Sequence, residues 1–231
     1  MNKITGLRPA MILSFNIFRK VKSTTLVELM LSIIIVSTMV LSFYTLESFS
    51  HKQVLNADRR VKVQNELAYC LEHMSKYVRQ AGGNATLNAG ANYPAILLYP
   101  TTGTKTGFQA RVDLNSPQTP ADFSDDAMVY YRLEGNQLIT GCTGACGSLG
   151  TSEETLSNRI VANFNNSVLP VIPPYSASDG FYVWIDSAAN YVDVGLVGRY
   201  YPTQVPTVNT KLTNPQVAMK TRLICNNSSS N

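Results

Sequence analysis

The first twenty-seven residues contain no acid, and neither glycine nor proline occurs between Pro9 and Gly82. The first absence leaves five cations unopposed: Lys3, Arg8, Arg19, Lys20 and Lys22. The second removes the usual helix breakers, so a single helix is predicted from Thr24 to about Gln80. That is several times the globular mean of about 11–12 residues. Charge is also missing from the eighteen residues Leu29 to Leu46. As a helix they reach about 27 Å, most of a bilayer's hydrocarbon core. Histidine is scarce as well: His51 and His73 are the only two, and both fall on the predicted helix, many turns apart. They read as solvated helix-face residues. No Ser/His/Asp or metal-ligand constellation is visible, so neither an enzyme nor a cofactor is expected.

What is present begins with Glu28, a single acid at the head of the apolar run. An acidic residue at mid-membrane costs roughly 2.5–3.5 kcal/mol on insertion scales, so a carboxylate there calls for a partner. The basic leader predicts that the short N-terminal segment stays cytoplasmic and that the chain after Leu46 is exported. A secretory signal has an apolar region of only ~7–15 residues ending in a small-residue cleavage site. A plain signal anchor is the nearer alternative and needs no cleavage.

The run Thr24-Thr25-Leu26-Val27-Glu28 resembles the type IV prepilin processing site, usually Gly followed by Phe-Thr-Leu-Ile/Val-Glu. Ser23 stands where Gly is usual, and Thr24 where Phe is usual. The resemblance implies cleavage between Ser23 and Thr24 by a prepilin peptidase and N-methylation of Thr24. It also implies that Glu28 is the assembly carboxylate that meets a neighbouring subunit's terminal amine. A start at Met11 would leave a shorter leader that still carries Arg19, Lys20 and Lys22.

Residues 1–23 hold five of the nineteen Lys and Arg and none of the fifteen Asp and Glu. Without them fourteen cations face fifteen acids, a net charge of −1. The basic balance is therefore a topology signal, and no nucleic-acid partner is expected. Four cysteines, all beyond the apolar run, suit an oxidising exterior. They allow three pairings, and sequence alone does not choose among them. The expected pairing is Cys142 with Cys146, pinching a glycine-rich loop, and Cys70 with Cys225, tying helix to last strand. The glycines around Cys142 lack the Gly-Lys-Ser/Thr of a phosphate cradle. Asp122, Asp125 and Asp126 lack the order of a calcium-binding EF-hand and read as a solvated acidic turn.

Val63, Leu67, Leu71, Met74, Val78 and Ala81 recur at spacings of three and four, marking one buried stripe on the second half of the helix. Gly82-Gly83 is read as its stop. Strands are expected at Ala95–Tyr99, in a hairpin of Ala127–Leu133 and Leu138–Thr140 about Glu134–Gln137, and in a second hairpin of Phe181–Ile185 and Tyr191–Val197. Val217–Cys225 is read as the last strand. Thr101–Asp126 is read as mostly loop, Glu154–Phe164 as a short helix running into a strand, and Pro170–Pro174 as an extended linker. Tyr175, Phe181, Tyr182, Trp184, Tyr191, Tyr200 and Tyr201 are read mainly as packing residues, with a sugar- or partner-binding surface as the alternative for those on loops.

Glu72–Gly82 resembles the helix ending of minor pilins of the PilW type, and the strand order is similar to theirs and to J-type pseudopilins of type II secretion. The resemblance implies a pilin-like α+β fold, a long N-terminal helix covering one face of an antiparallel sheet. The expected organisation is a leader at 1–23, a transmembrane and polymerisation segment at 24–50, an amphipathic helix at 51–81 and a globular β domain at 82–231. The expected function is that of a minor pilin that primes assembly or forms a filament tip. The expected partners are the prepilin peptidase, the inner membrane, and other minor and major pilins met through the N-terminal helix. The protein would sit in the inner membrane with its N-terminus cytoplasmic, then in the periplasm or the filament. A type II secretion pseudopilin, and a tip adhesin or DNA-uptake pilin, are the alternatives.

Overall fold

The computed structural model describes residues 25–83, 94–99, 107–114, 118, 122–162, 180–186, 191–204, 213–225 and 227–228. Helix α1, Leu26–Gln80, runs unbroken up to the residue before Ala81 and the Gly82–Gly83 pair. By their contacts the residues fall into two units, 1–50 and 51–231.

In the second unit, α1 buries Val63, Leu67, Cys70, Leu71, Met74, Tyr77 and Val78. All six residues of the predicted stripe are buried, with Cys70 and Tyr77 beside them. The helix ends with a tightened turn, Ala81 N–H to Val78 O at 3.2 Å. The helix stops just before Gly82 and Gly83, as expected. They form β1 (Gly82–Gly83), paired in parallel with β10 (Asn227–Ser228) near the C-terminus.

Five strands follow in an antiparallel meander: β2 (Ile96–Tyr99), β3 (Gly107–Val112), β4 (Ala127–Glu134), β5 (Gln137–Gly144) and β6 (Glu154–Ser157). β4 and β5 make the first predicted hairpin, with Gly135 at φ 57° in its two-residue turn. β3 corrects the reading of Thr101–Asp126 as mostly loop. Its Phe108, Ala110 and Val112 point to the core, but Gln109 and Arg111 between them thin the apolar content. Gln109 is nevertheless only 6% exposed, so the strand is covered on both faces there. β6 corrects the helix expected at the start of Glu154–Phe164. Its four residues run from exposed to buried, placing Leu156 in the core, and pair with β5 across an irregularity at Leu138/Ile139.

A three-stranded antiparallel sheet, β7 (Phe181–Asp186), β8 (Tyr191–Arg199) and β9 (Gln216–Ile224), contains the second predicted hairpin and the last predicted strand. An isolated bridge joins Ile160 to Gly198 of β8. The expected linker at Pro170–Pro174 and the turn at 187–190 lie outside the described residues.

One core joins all three parts of this unit: the α1 stripe, Phe108, Ala110, Val129, Tyr131 and Leu138 of the first sheet, and Val183, Val192, Val194, Leu196 and Leu223 of the second. Gly198 lets β8 lie close to the helix. A Cβ there would stand 3.0 Å from Val63 Cγ1 and 3.1 Å from Leu67 Cδ2. The result is an α+β architecture, a helix half packed on antiparallel sheet.

Candidate functional site

Unit 1 offers an apolar helix that is exposed throughout among the described residues. Its best eighteen-residue window has a mean hydropathy of 2.3 and is wholly unburied. Leu26, Val27, Leu29, Met30, Leu31, Ile33, Phe43 and Tyr44 are all exposed. A helix that is apolar all round suits lipid or a bundle of like helices, and this one is long enough to cross a membrane.

Four hydroxyls within this run are satisfied by the helix itself. Ser32 donates to Glu28 O, Thr38 to Ile35 O, Ser42 to Thr38 O and Thr45 to Ser42 O, each at 2.8 Å. In hydrocarbon, where water cannot serve a stray donor, such internal bonding is what makes a serine or threonine tolerable.

Thr25 and Glu28 close the helix start reciprocally. Glu28 N–H donates to Thr25 Oγ1 at 3.3 Å, while Thr25 N–H donates to Glu28 Oε2 at 3.2 Å. The Thr25 hydroxyl also lies 3.4 Å from the same carboxylate oxygen. This is a capping box, in which two of the helix's orphan donors find partners in each other's side chains. The sequence reading assigned Glu28 to assembly and missed this local bond. The signal was legible as Thr-x-x-Glu directly before an apolar run. Ser23 and Thr24 lie outside the described residues.

Cys142 and Cys146 are bonded, with Cα atoms 5.8 Å apart. Cys142 belongs to β5, opposite Val129, and Cys146 immediately precedes a 3-10 turn, Gly147–Leu149. The expected Cys70–Cys225 bridge is absent: both are free, buried thiols. Each serves the main core as a small hydrophobe. Burial pushes the Cys70 thiol up to about 12, with Glu66 adding to the effect, and the Cys225 thiol up to about 11. Neither is a ready thiolate.

His51 is exposed, whereas His73 is half-buried and corrects the solvated reading. Its Nδ1 lies 3.0 Å from the hydroxyl of the fully buried Tyr131, and the two rings meet edge-on at 5.8 Å. Burial lowers the pKa of His73, with Lys76 acting the same way and Glu154 opposing both. His73, Tyr77, Thr140, Cys142, Leu149 and Glu154 line a cleft of about 50 Å³. It has room for a few waters and is far below the ~300 Å³ of a small-molecule site.

Asp122 accepts from Ser124 N–H at 3.0 Å and from its hydroxyl at 2.6 Å, bonds that hold its carboxyl below the usual range. Asp126 is buried, and desolvation raises its pKa. Among the described residues no three His, Cys, Asp or Glu side chains converge as metal ligands. Several of the aromatics are engaged within the fold. The guanidinium groups of Arg59 and Arg159 both lie over the Tyr200 ring, 4.9 and 4.5 Å from its centroid. Tyr191 carries the guanidinium of Arg222 at 3.8 Å. That guanidinium also grips Asp193, 3% exposed, with bonds of 2.9 and 3.1 Å. These bonds, helped by Lys220, hold the Asp193 carboxyl below its usual range despite burial.

No family model, curated protein or solved structure matches this chain.

Proposed function

We propose that this protein is a filament subunit of the minor-pilin kind. It would be inserted in a membrane by residues 24–50, relieved of residues 1–23 by a prepilin peptidase, and assembled through the same helix half. A place among the minor pilins of the PilW type, priming assembly or closing the tip, is the form of this reading that the sequence resemblance favours.

The observation that carries it is the division of α1. One half buries a stripe against its own sheets, while the other carries an eighteen-residue apolar window, most of a hydrocarbon core in length, that is unburied among the described residues. An enzyme or a binding module needs only to be anchored. A helix that is apolar all round and headed by a carboxylate also offers a means of packing against like helices once it leaves lipid. In that docking the Glu28 carboxylate meets the α-ammonium of a neighbouring subunit. Low dielectric strengthens their attraction and raises their desolvation cost together, so the pair specifies register more than it adds stability.

The test uses Glu28→Gln, which keeps a side chain able to complete the capping box and deletes the charge. The variant is expected to insert into membranes as the parent does and to be lost from the sheared filament fraction. Recovery in that fraction at the parent level would overturn the docking role.

A further inference from the structure

We propose that Asp126 is the inner ligand of a binding site for a hard divalent cation of the calcium class, at one shared end of strands β3, β4 and β5. Asp113, Asp122 and Asp125 supply the negative charge around it. The site is independent of the assembly reading above and stands or falls without it.

The strands bring these acids to one place. The β3–β4 ladder closes on the pair Val112 and Ala127, so Asp113 leaves β3 and Asp126 enters β4 at the same end, each one residue beyond that pair. Ala127 also pairs with Gly144 at the end of β5. Gly144 has φ 87°, and a Cβ there would stand 2.9 Å from the Asp126 carbonyl oxygen, so β5 passes close against the Asp126 backbone. The turn carrying Asp122 and Asp125 runs directly into β4, with Asp122 tied to the N–H and hydroxyl of Ser124. Exposure falls from Asp122 at the surface, through half-buried Asp113 and Asp125, to buried Asp126.

Asp126 is the residue that points to a ligand. It is only 8% exposed, and its Oδ1 has no hydrogen-bond partner among the described residues. A buried polar atom left without a partner is costly, and more so when it carries charge. Desolvation raises the Asp126 pKa, Arg111 opposes it, and Asp113, Asp125 and Asp122 add to it. Arg111 meanwhile donates from Nη1 to Phe123 O at 2.8 Å and from Nε to Pro94 O at 3.2 Å. Among these five side chains, four carboxylates face one guanidinium, an excess of three negative charges. A divalent cation would both fill the open Oδ1 and offset that excess.

No three of these carboxylates converge as direct ligands, and this decides the kind of cation. Magnesium demands a near-ideal octahedron, whereas calcium accepts six to eight oxygens in irregular geometry and mixes carboxylate with water. An ion on Asp126 Oδ1 would complete its shell with waters held by the outer acids. So few protein ligands place the affinity in the weak range, a Kd of about 0.1–1 mM.

The experiment is calorimetric titration of calcium chloride into the full chain in non-ionic detergent micelles. Asp126→Asn keeps the shape and removes the charge of the inner ligand. Asp113→Asn removes an outer charge, and Asp58→Asn removes an acid from an exposed ion pair on α1. Relative to the parent, Kd is expected to rise at least about tenfold in Asp126→Asn and about threefold in Asp113→Asn, and to stay unchanged in Asp58→Asn. A parent with no saturable calcium binding up to about 10 mM, well above the expected range, overturns the proposal. So does Asp126→Asn binding at the parent Kd, and so does an equal response to sodium at matched ionic strength, which is screening and not a site. Should Asp126→Asn lose the parent's near-ultraviolet circular dichroism, Asp113→Asn decides alone, and a parent-level Kd in that variant overturns the site.

Discussion

The two halves of α1 share a backbone conformation and differ in what their side chains meet. From Val63 to Val78 the second half carries a stripe that the sheets of the same unit bury, while Val54, Val61 and Tyr69 stay exposed. In the first half apolar residues face every direction and none of them is buried among the described residues. Helical conformation therefore says nothing by itself about where stability comes from. The second half is stabilised by packing within its unit, and the described residues give the first half no such packing.

The sharpest way to break this contrast is to remove the same kind of side chain from each half. Leu67→Ala, from a fully buried position under Gly198, is expected to cost about 2–5 kcal/mol in denaturant unfolding of the full chain in micelles. Val36→Ala, exposed in the first half, should change the same transition by less than about 0.5 kcal/mol. Equal losses would mean that the first half is also held by the fold.

A smaller effect is expected from the second unit's buried ion pair. Arg222→Ala leaves the Asp193 carboxylate buried with Lys220 at 3.6 Å as its remaining cation. The guanidinium is itself half exposed, so a loss of about 1–2 kcal/mol is expected, less than for a fully buried pair. The Asp193 pKa is depressed in the fold, so the pair's contribution is present above the unfolded carboxylate value of ~3.9 and is lost as pH falls through the folded value. Urea midpoints of parent and variant should converge on acidification, and a constant gap would show that the charge pair is not the cause.

The smallest effect concerns His73. Its folded pKa lies below the ordinary value, so burial favours the neutral ring. That contribution is complete above pH ~6.5 and fades as pH falls through the folded value. His73→Gln should lose this acid sensitivity between pH ~6.5 and the Asp193 range while keeping the parent's behaviour at neutral pH. An unchanged pH profile would place the titrating group elsewhere.

Much of the fold was legible along the chain because its signals are local. The missing breakers, the three-and-four spacing from Val63 to Ala81 and the Gly135 turn each act over a few residues. β3 was not legible, because Gln109 is buried for reasons lying on other strands, and polar content alone made the stretch look like loop. At the candidate site the apolar run and Glu28 were plain. The box that ties Glu28 to Thr25 is equally local, spanning three residues.

The sequence by itself determined that one helix runs unbroken, that its first half is apolar all round and that its second half carries a stripe. Propensity, breaker content and periodicity depend only on neighbours in the chain. Only the tertiary structure decided that Cys70 and Cys225 remain thiols, that His73 meets Tyr131 and that the double glycine pairs with the C-terminal segment. Each of those outcomes depends on which surfaces arrive opposite a residue when distant segments pack. A cysteine that fits a closed core, or a glycine pair offered an unpaired strand, takes the role its neighbours leave to it, and its spacing in the sequence carries no record of who those neighbours are.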